Sequence, residues 1–241
     1  MSQKLSYSNP VLNPWGNSRV PLLVVVFLSL DFLFIGVNAV WRLLELTDLV
    51  ADRPVLIEIR NDYGLPEITN FAKYLVVSAL LILGVRRTER RIWGPMAIAF
   101  GLLFLDDAFR IHENVSEWVG QTFLEDLVGP GKPSFTIGQF PYYIIFGIAV
   151  FGTAFLSMRR ATGRGFALSK KLFNLLIVLA VLGAGVDFVN SYILESFGIA
   201  WLGSLGSLVE NGGELIVLSL CVWVAVLVRE LNSAKESMIS A

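Results

Sequence analysis

Six long apolar runs determine what this chain can fold into. A helix that crosses the hydrocarbon core of a bilayer needs about 20 mostly apolar residues. Of the 241 residues, 55% are hydrophobic and only 16% are charged, whereas soluble domains carry about 25% charged residues. The chain therefore lacks the polar surface that a water-soluble globule requires. The runs are Val20–Glu45, Phe71–Val85 (longer if it begins near Pro66), Trp93–His112, Phe140–Met158, Leu172–Leu194 and Leu208–Val228.

These runs predict an all-α fold, a polytopic integral membrane bundle of six transmembrane helices. Thirteen of the 19 Lys and Arg residues lie before the first run, after the sixth, and in the second–third and fourth–fifth connections. Because cytoplasmic loops are enriched in Lys and Arg, we expect both termini in the cytoplasm and the protein in the cell (inner) membrane. The predicted parts are a cytoplasmic segment over 1–19, a single membrane domain over 20–228 and a cytoplasmic tail over 229–241.

Charge and cysteine content exclude several classes of protein. The net charge is −1, and no basic cluster stands outside the flanks of the apolar runs, which excludes a nucleic-acid-binding protein. The single cysteine, Cys221, excludes an intramolecular disulfide and a cysteine-based zinc site. The expected partners are the lipid bilayer and either another membrane protein or a second copy of the chain.

Acidic residues inside the runs are the main functional signal, because charge within a bilayer is costly and usually serves a function. At a rise of about 1.5 Å per residue, Asp106 lies roughly 20 Å and Asp187 roughly 22 Å from the inner boundary. Glu210 and Glu214 lie roughly 3–9 Å below the outer boundary. In a core about 30 Å thick, three helices therefore place acids at a similar depth in the outer half.

The end of the third run combines acids with the only histidine of the chain. On one continuous helix, Asp106, Arg110 and Glu113 follow each other at i+4 and i+3 and share a face. His112 is expected to point about 120° away from Asp106. Arg110 is expected to orient Asp106, and Arg110 and Asp107, which lies off the shared face, are assigned to the charge balance of the cluster.

The acids at this depth outnumber the cations. They are Asp31, Asp106, Asp107, Glu113, Asp187, Glu210 and Glu214. Arg110 is the clear counter-ion, and Arg42, Lys73 and His112 are further candidates. The excess charge can be relieved by bound protons, by a bound metal or other cation, or by a water-filled vestibule. The alternative is a structural ladder of ion pairs at the end of the third run, with the other acids in outer water.

The sequence therefore predicts a site that binds a cation, either a proton or a divalent metal ion, for transport or as an accessory subunit. Its candidate ligands are Asp106, His112, Glu113, Asp187, Glu210 and Glu214. Carboxylates with one imidazole suit Mn, Fe, Zn, Mg or Ca, whereas a diiron centre with two Glu-x-x-His motifs needs more than one histidine. The alternatives are a metal-dependent hydrolase or oxidase acting on a lipid or quinone, and a structural subunit of a membrane complex.

Gly212 and Gly213 lie between the two acids of the sixth run. Paired glycines either break a membrane helix beside a binding site or admit close packing of a neighbouring helix. Gly183 and Gly185, just before Asp187, carry the same two interpretations. Close packing is the more frequent use of small residues in membrane helices.

The run Leu105-Asp106-Asp107 followed by His112-Glu113, with the later pair Glu210 and Glu214, resembles a pattern in uncharacterised bacterial multi-span membrane proteins. Those proteins carry Leu-Asp-Glu followed shortly by His-Glu at the end of a membrane helix. Asp107 stands here where that pattern has Glu. The resemblance covers about a tenth of the chain and implies no activity.

Overall fold

The computed structural model describes residues 20–47, 55–59, 61–83, 85, 89–124, 132–186, 189 and 200–240. Within these ranges the chain forms seven α-helices and no strand, which confirms the predicted all-α class. The helices are α1 (Leu22–Leu46), α2 (Leu65–Leu83), α3 (Arg90–Phe109), α4 (Ile111–Val119), α5 (Lys132–Arg160), α6 (Gly163–Ala180) and α7 (Ala200–Ser240). A 3-10 turn precedes α2, and π-helical turns continue α4 and α6; these are Val55–Ile57, Gly120–Leu124 and Val181–Val186.

Five segments of the described chain are long and apolar enough to cross a membrane. They are Leu22–Glu45, Leu65–Leu83, Arg90–Phe109, Ile137–Arg160 and Gly163–Val186. Each corresponds to a predicted run, although the second begins at Leu65 and the third ends at Phe109. The sixth predicted run lies inside α7. The end of the fifth run, with Asp187, lies outside the described residues.

Five helices form a closed ring in which α2 contacts α3, α3 contacts α5, α5 contacts α6, α6 contacts α7 and α7 contacts α2. Helix α1 packs beside this ring, mainly against α7, and α4 packs against α5. We call the end of the ring where α3 meets α4 the carboxylate end. The core fills the opposite end, where the largest buried side chains include Trp93, Phe100, Leu172, Leu218 and Val222.

The paired glycines of α7 serve close packing, because the helix continues through them without a break. A Cβ atom on Gly213 would lie 2.9 Å from Cδ1 of Leu182, and one on Gly212 would lie 3.2 Å from Cγ1 of Ile35. Both neighbours belong to helices that contact α7. The interpretation as a helix break is therefore wrong for this pair.

A buried ion pair joins α1, α2 and α7. The Lys73 ammonium lies 2.5 Å from Oδ1 of Asp31, and both side chains are fully buried. Ser219 donates to Oδ2 of Asp31 at 2.5 Å, and Lys73 also donates to the carbonyl oxygen of Leu215 at 2.9 Å. Asp31 thus has its own buried counter-ion.

Gly138 sets the distance between α5 and α4. A Cβ atom on Gly138 would lie 2.5 Å from the carbonyl oxygen of Ser116 and 3.1 Å from the amide nitrogen of Gly120. These are backbone atoms, so they move only if the segment moves. Ser116 is fully buried, and its hydroxyl donates to the carbonyl oxygen of His112. The backbone of α5 therefore supports the helix that carries the histidine.

We expect Asp31→Asn to lower the free energy of unfolding by about 3–5 kcal/mol, because it leaves the Lys73 charge buried without its partner. The double variant Asp31→Asn, Lys73→Gln removes both charges and should be more stable than this single variant. Thermal unfolding in detergent, followed by circular dichroism, measures the difference. If the double variant loses as much stability as Asp31→Asn and Lys73→Gln lose together, the pairing is contradicted.

We expect Gly138→Ala to destabilise the protein by at least about 1 kcal/mol, because the added methyl group forces α4 away from α5. Gly152→Ala, also in α5, is the matched control, since a Cβ atom there meets nothing within 4 Å. Alanine in a helix interior is favoured over glycine by about 0.5–1 kcal/mol, so this control should be stabilised. The same shift in unfolding temperature for both variants would refute the close contact.

Candidate metal centre and cavity

Arg110 separates α3 from α4. Its φ of 51° lies in the left-handed region, which side-chain-bearing residues seldom adopt. This break in the helix brings the backbone N–H of His112 to 2.9 Å from Oδ1 of Asp106. The predicted continuous face of Asp106, Arg110 and Glu113, with His112 pointing away, is therefore wrong. The helical periodicity on which it rested ends at Arg110.

Asp106 is buried, and its two carboxylate oxygens have different surroundings. Oδ1 accepts hydrogen bonds from the Tyr142 hydroxyl at 2.6 Å and from the His112 backbone N–H. Oδ2 faces Nδ1 of His112 at 3.3 Å, and this nitrogen makes no well-aligned hydrogen bond among the described residues. The hydrogen bonds thus hold the carboxylate in place and leave an oxygen and an imidazole nitrogen side by side.

Three side chains offer ligand atoms that converge. One atom each from Asp106, Asp107 and His112 lies within 4.8 Å of the other two. Neighbouring ligands of a tetrahedral ion at 2.0–2.1 Å are about 3.3–3.4 Å apart, as Oδ2 of Asp106 and Nδ1 of His112 are. Tyr74 of α2 hydrogen-bonds to Asp107, so both carboxylates have an outer partner. Carboxylates and an imidazole are the ligand types that divalent ions such as Zn, Mn or Fe accept.

Arg110 pairs with acids other than Asp106. Its guanidinium contacts Glu113 and lies 3.0 Å from Oδ2 of Asp62 in the segment before α2. The expected orientation of Asp106 by Arg110 is wrong, because Tyr142 and the His112 backbone hold that carboxylate. Glu113 remains close to the group, with Oε1 3.8 Å from Nε2 of His112. Both imidazole nitrogens therefore face carboxylates.

A cavity of about 580 Å³ opens at the carboxylate end and connects these residues with α6 and α7. Its acidic lining residues, among those the structure describes, are Asp62, Glu67, Asp106, Asp107, Glu113, Glu210 and Glu214. Its basic lining residues are Arg110 and His112. Glu210 and Glu214 on α7 thus line the same cavity as Asp106, Asp107 and His112, which we call the converging group. The remaining candidate ligand, Asp187, is outside the described part of the chain.

Residues 20–229 match a family model described as Domain of unknown function (DUF8692). The chain belongs to this family. The matched range contains Asp106, Asp107, His112, Glu210 and Glu214, so the whole described cavity lies within the family domain. No curated protein and no solved structure matches the chain.

The sequence interpretation missed the tyrosines that hold the acids. Tyr142 lies at the start of the fourth apolar run and Tyr74 lies next to Lys73, so each places a hydroxyl near the depth of the acids. That shared depth was the available signal. At Gly183, for which the sequence allowed close packing, a Cβ atom would lie 2.6 Å from Oε1 of Glu214. The close-packing interpretation therefore holds at Gly183 as well.

The charge state of His112 depends on its acidic neighbours. Burial lowers the pKa of His112, but the contact with Asp106 and the charges of Asp107 and Glu113 together raise this pKa above its ordinary value. The imidazole therefore retains its proton to higher pH than an exposed histidine does. A metal ion that binds at Nδ1 must displace that proton.

Proposed function

We propose that this chain is an integral membrane protein that binds a divalent metal ion through Asp106, Asp107 and His112. It has six transmembrane helices, the sixth within α7, and both termini in the cytoplasm of the cell that carries it in its inner membrane. Five long apolar helices and the distribution of Lys and Arg support this topology. The third helix then runs outward, so the carboxylate end faces the outer side.

The observation that carries the metal proposal is the pairing of Oδ2 of Asp106 with Nδ1 of His112 at 3.3 Å. This separation is the distance expected between neighbouring ligands of a tetrahedral ion. Hydrogen bonds to Asp106 and Asp107 from Tyr142 and Tyr74 supply the outer shell that metal ligands need. The carboxylates of Asp106 and Asp107 and the imidazole of His112 are therefore the proposed ligands of one ion.

The packed core supports access to the ion from one side. Trp93 lies 13 residues before Asp106, about 20 Å along α3, and is buried with Phe100 and Leu172 in the core that closes the inner end of the ring. An ion held by Asp106 therefore enters and leaves through the carboxylate end. This supports either an accessory subunit that holds a metal or an outward-facing state of a transporter.

A second candidate function is a metal-dependent hydrolase or oxidase that acts on a lipid or quinone. The observation that favours it is the cavity volume of about 580 Å³, far larger than one ion needs. Sites for small molecules usually measure about 300–1,000 Å³. A bound divalent ion supplies Lewis-acid chemistry, and Glu113, 3.8 Å from the imidazole, is the candidate general base.

We expect purified protein, stripped with a chelator and then titrated with Zn²⁺ or Mn²⁺, to bind one ion per chain. Asp106→Asn and His112→Ala should each weaken binding at least about 10–100-fold, because each removes a ligand. Isothermal titration calorimetry and elemental analysis measure affinity and stoichiometry. The control is Glu230→Gln, an exposed acid in α7 beyond the core, which should bind as the wild type does. Full binding by the double variant Asp106→Asn, His112→Ala would refute the site.

We expect metal affinity to fall as the pH is lowered, because the metal competes with the proton on His112. The raised pKa of His112 places the start of this decline above about pH 6.5, the ordinary value. Below the pKa, affinity should fall by up to about tenfold per pH unit. Titrations between pH 6 and 8.5 measure the slope. His112→Ala should bind more weakly and with a smaller slope; an unchanged slope in this variant would exclude His112 as the titrating ligand.

A further inference from the structure

The cavity is polar at one end and apolar at the other. Along α5 its lining residues run from Gln139 and Tyr143 at the carboxylate end to Val150 and Phe151, about 18 Å deeper. Helix α6 runs in the opposite direction and contributes Leu176 at the deep end. A ligand that fills this cavity therefore needs a polar group and an apolar body.

The acidic side chains of the lining favour a cation as the polar group. Among the residues that the structure describes, seven acidic side chains and two basic ones, Arg110 and His112, line the cavity. Glu210 and Glu214 contribute two of these charges from α7, a helix that carries none of the three proposed metal ligands. The α7 wall therefore places two carboxylates in the cavity apart from the metal ligands.

Gln139 gives an independent indication of a ligand. It is 9% exposed, it lines the cavity, and no hydrogen bond to a described residue accounts for its side-chain amide. Buried amides normally have hydrogen-bond partners, because an unpaired one costs free energy. A ligand with N–H donors in the cavity would satisfy the carbonyl oxygen of this amide.

Aromatic rings complete the lining near the polar end. Tyr143 and Phe146 both line the cavity. The ring centroids of Tyr143 and His112 are 6.2 Å apart, and those of Phe146 and Tyr142 are 5.3 Å apart, each pair in a stacked arrangement. The faces of such rings attract organic ammonium ions. Carboxylates and aromatic rings together favour an ammonium group over a second metal ion.

We propose that the cavity binds an organic amine with an apolar body. The ammonium group lies at the carboxylate end, where Glu210, Glu214 and Gln139 are its acceptors, and the body extends towards Val150 and Phe151. The cavity volume of about 580 Å³ suits a molecule of this kind. The inference does not rest on the metal, since the acceptors differ from the metal ligands.

The test uses the full chain in dodecyl maltoside micelles, whose sugar headgroups are uncharged. Titration calorimetry with 2-phenylethylammonium, corrected with empty micelles, should show binding at least about tenfold tighter than that of 2-phenylethanol, which has the same body without the charge. In the series methyl-, butyl- and hexylammonium, affinity should rise by up to about fourfold per CH₂. Equal binding of the amine and the alcohol would overturn the proposal, and this comparison needs no variant.

Glu210→Gln and Glu214→Gln should each weaken amine binding at least about tenfold while metal binding by the converging group is kept. Glu230→Gln is again the control and should leave both affinities unchanged. Undiminished amine binding by the double variant Glu210→Gln, Glu214→Gln would overturn the assignment. Amine binding without metal binding would refute only the metal proposal, and metal binding without amine binding only this one. Phosphatidylethanolamine added to the micelles should compete with 2-phenylethylammonium if the cavity also binds amine-headed lipids. If the lipid does not compete, the cavity binds only amines that enter from water.

Discussion

A charge placed among apolar helices needs a partner, and this requirement shapes the described part of the bundle. Asp31 meets it through Lys73 and Ser219, and the same contacts attach α1 and α2 to α7. Asp106 meets it through Tyr142 and the His112 backbone, which draws α5 and α4 to the end of α3. Other acids, among them Glu210 and Glu214, line the cavity. Both sets of polar contacts join helices that are distant in the sequence.

The break in the helix at Arg110 brings His112 next to Asp106. On an unbroken helix, His112 would face away from Asp106, and the third span would carry a ladder of ion pairs. The left-handed backbone at Arg110 costs free energy, and conformations of this kind persist where surrounding contacts hold them. Here those contacts are the Arg110 pairs with Asp62 and Glu113 and the packing of α4 on Gly138.

The metal and amine proposals divide one cavity between two walls. The α3–α4 wall offers convergent ligand atoms held by tyrosines, and the α7 wall offers further carboxylates opposite apolar side chains. A metal ion accounts for the first wall but not for the volume or the deep apolar surface. A small molecule accounts for those features and gives the metal a substrate to act on, which is how the enzyme alternative would combine the two proposals.

Composition and helical geometry determined much of this from the sequence alone. Apolar run length predicts the helices, and a fixed rise per residue predicts that Asp106, Glu210 and Glu214 lie at a similar depth. In the structure these three residues line one cavity. Asp187 remains a prediction. Only the tertiary structure decided that Asp31 forms an ion pair with Lys73 and that Asp106 accepts hydrogen bonds from Tyr142 and the His112 backbone. Helical periodicity assumes an unbroken helix and does not show which helices are neighbours. The left-handed backbone at Arg110 and the contacts between helices set these pairs.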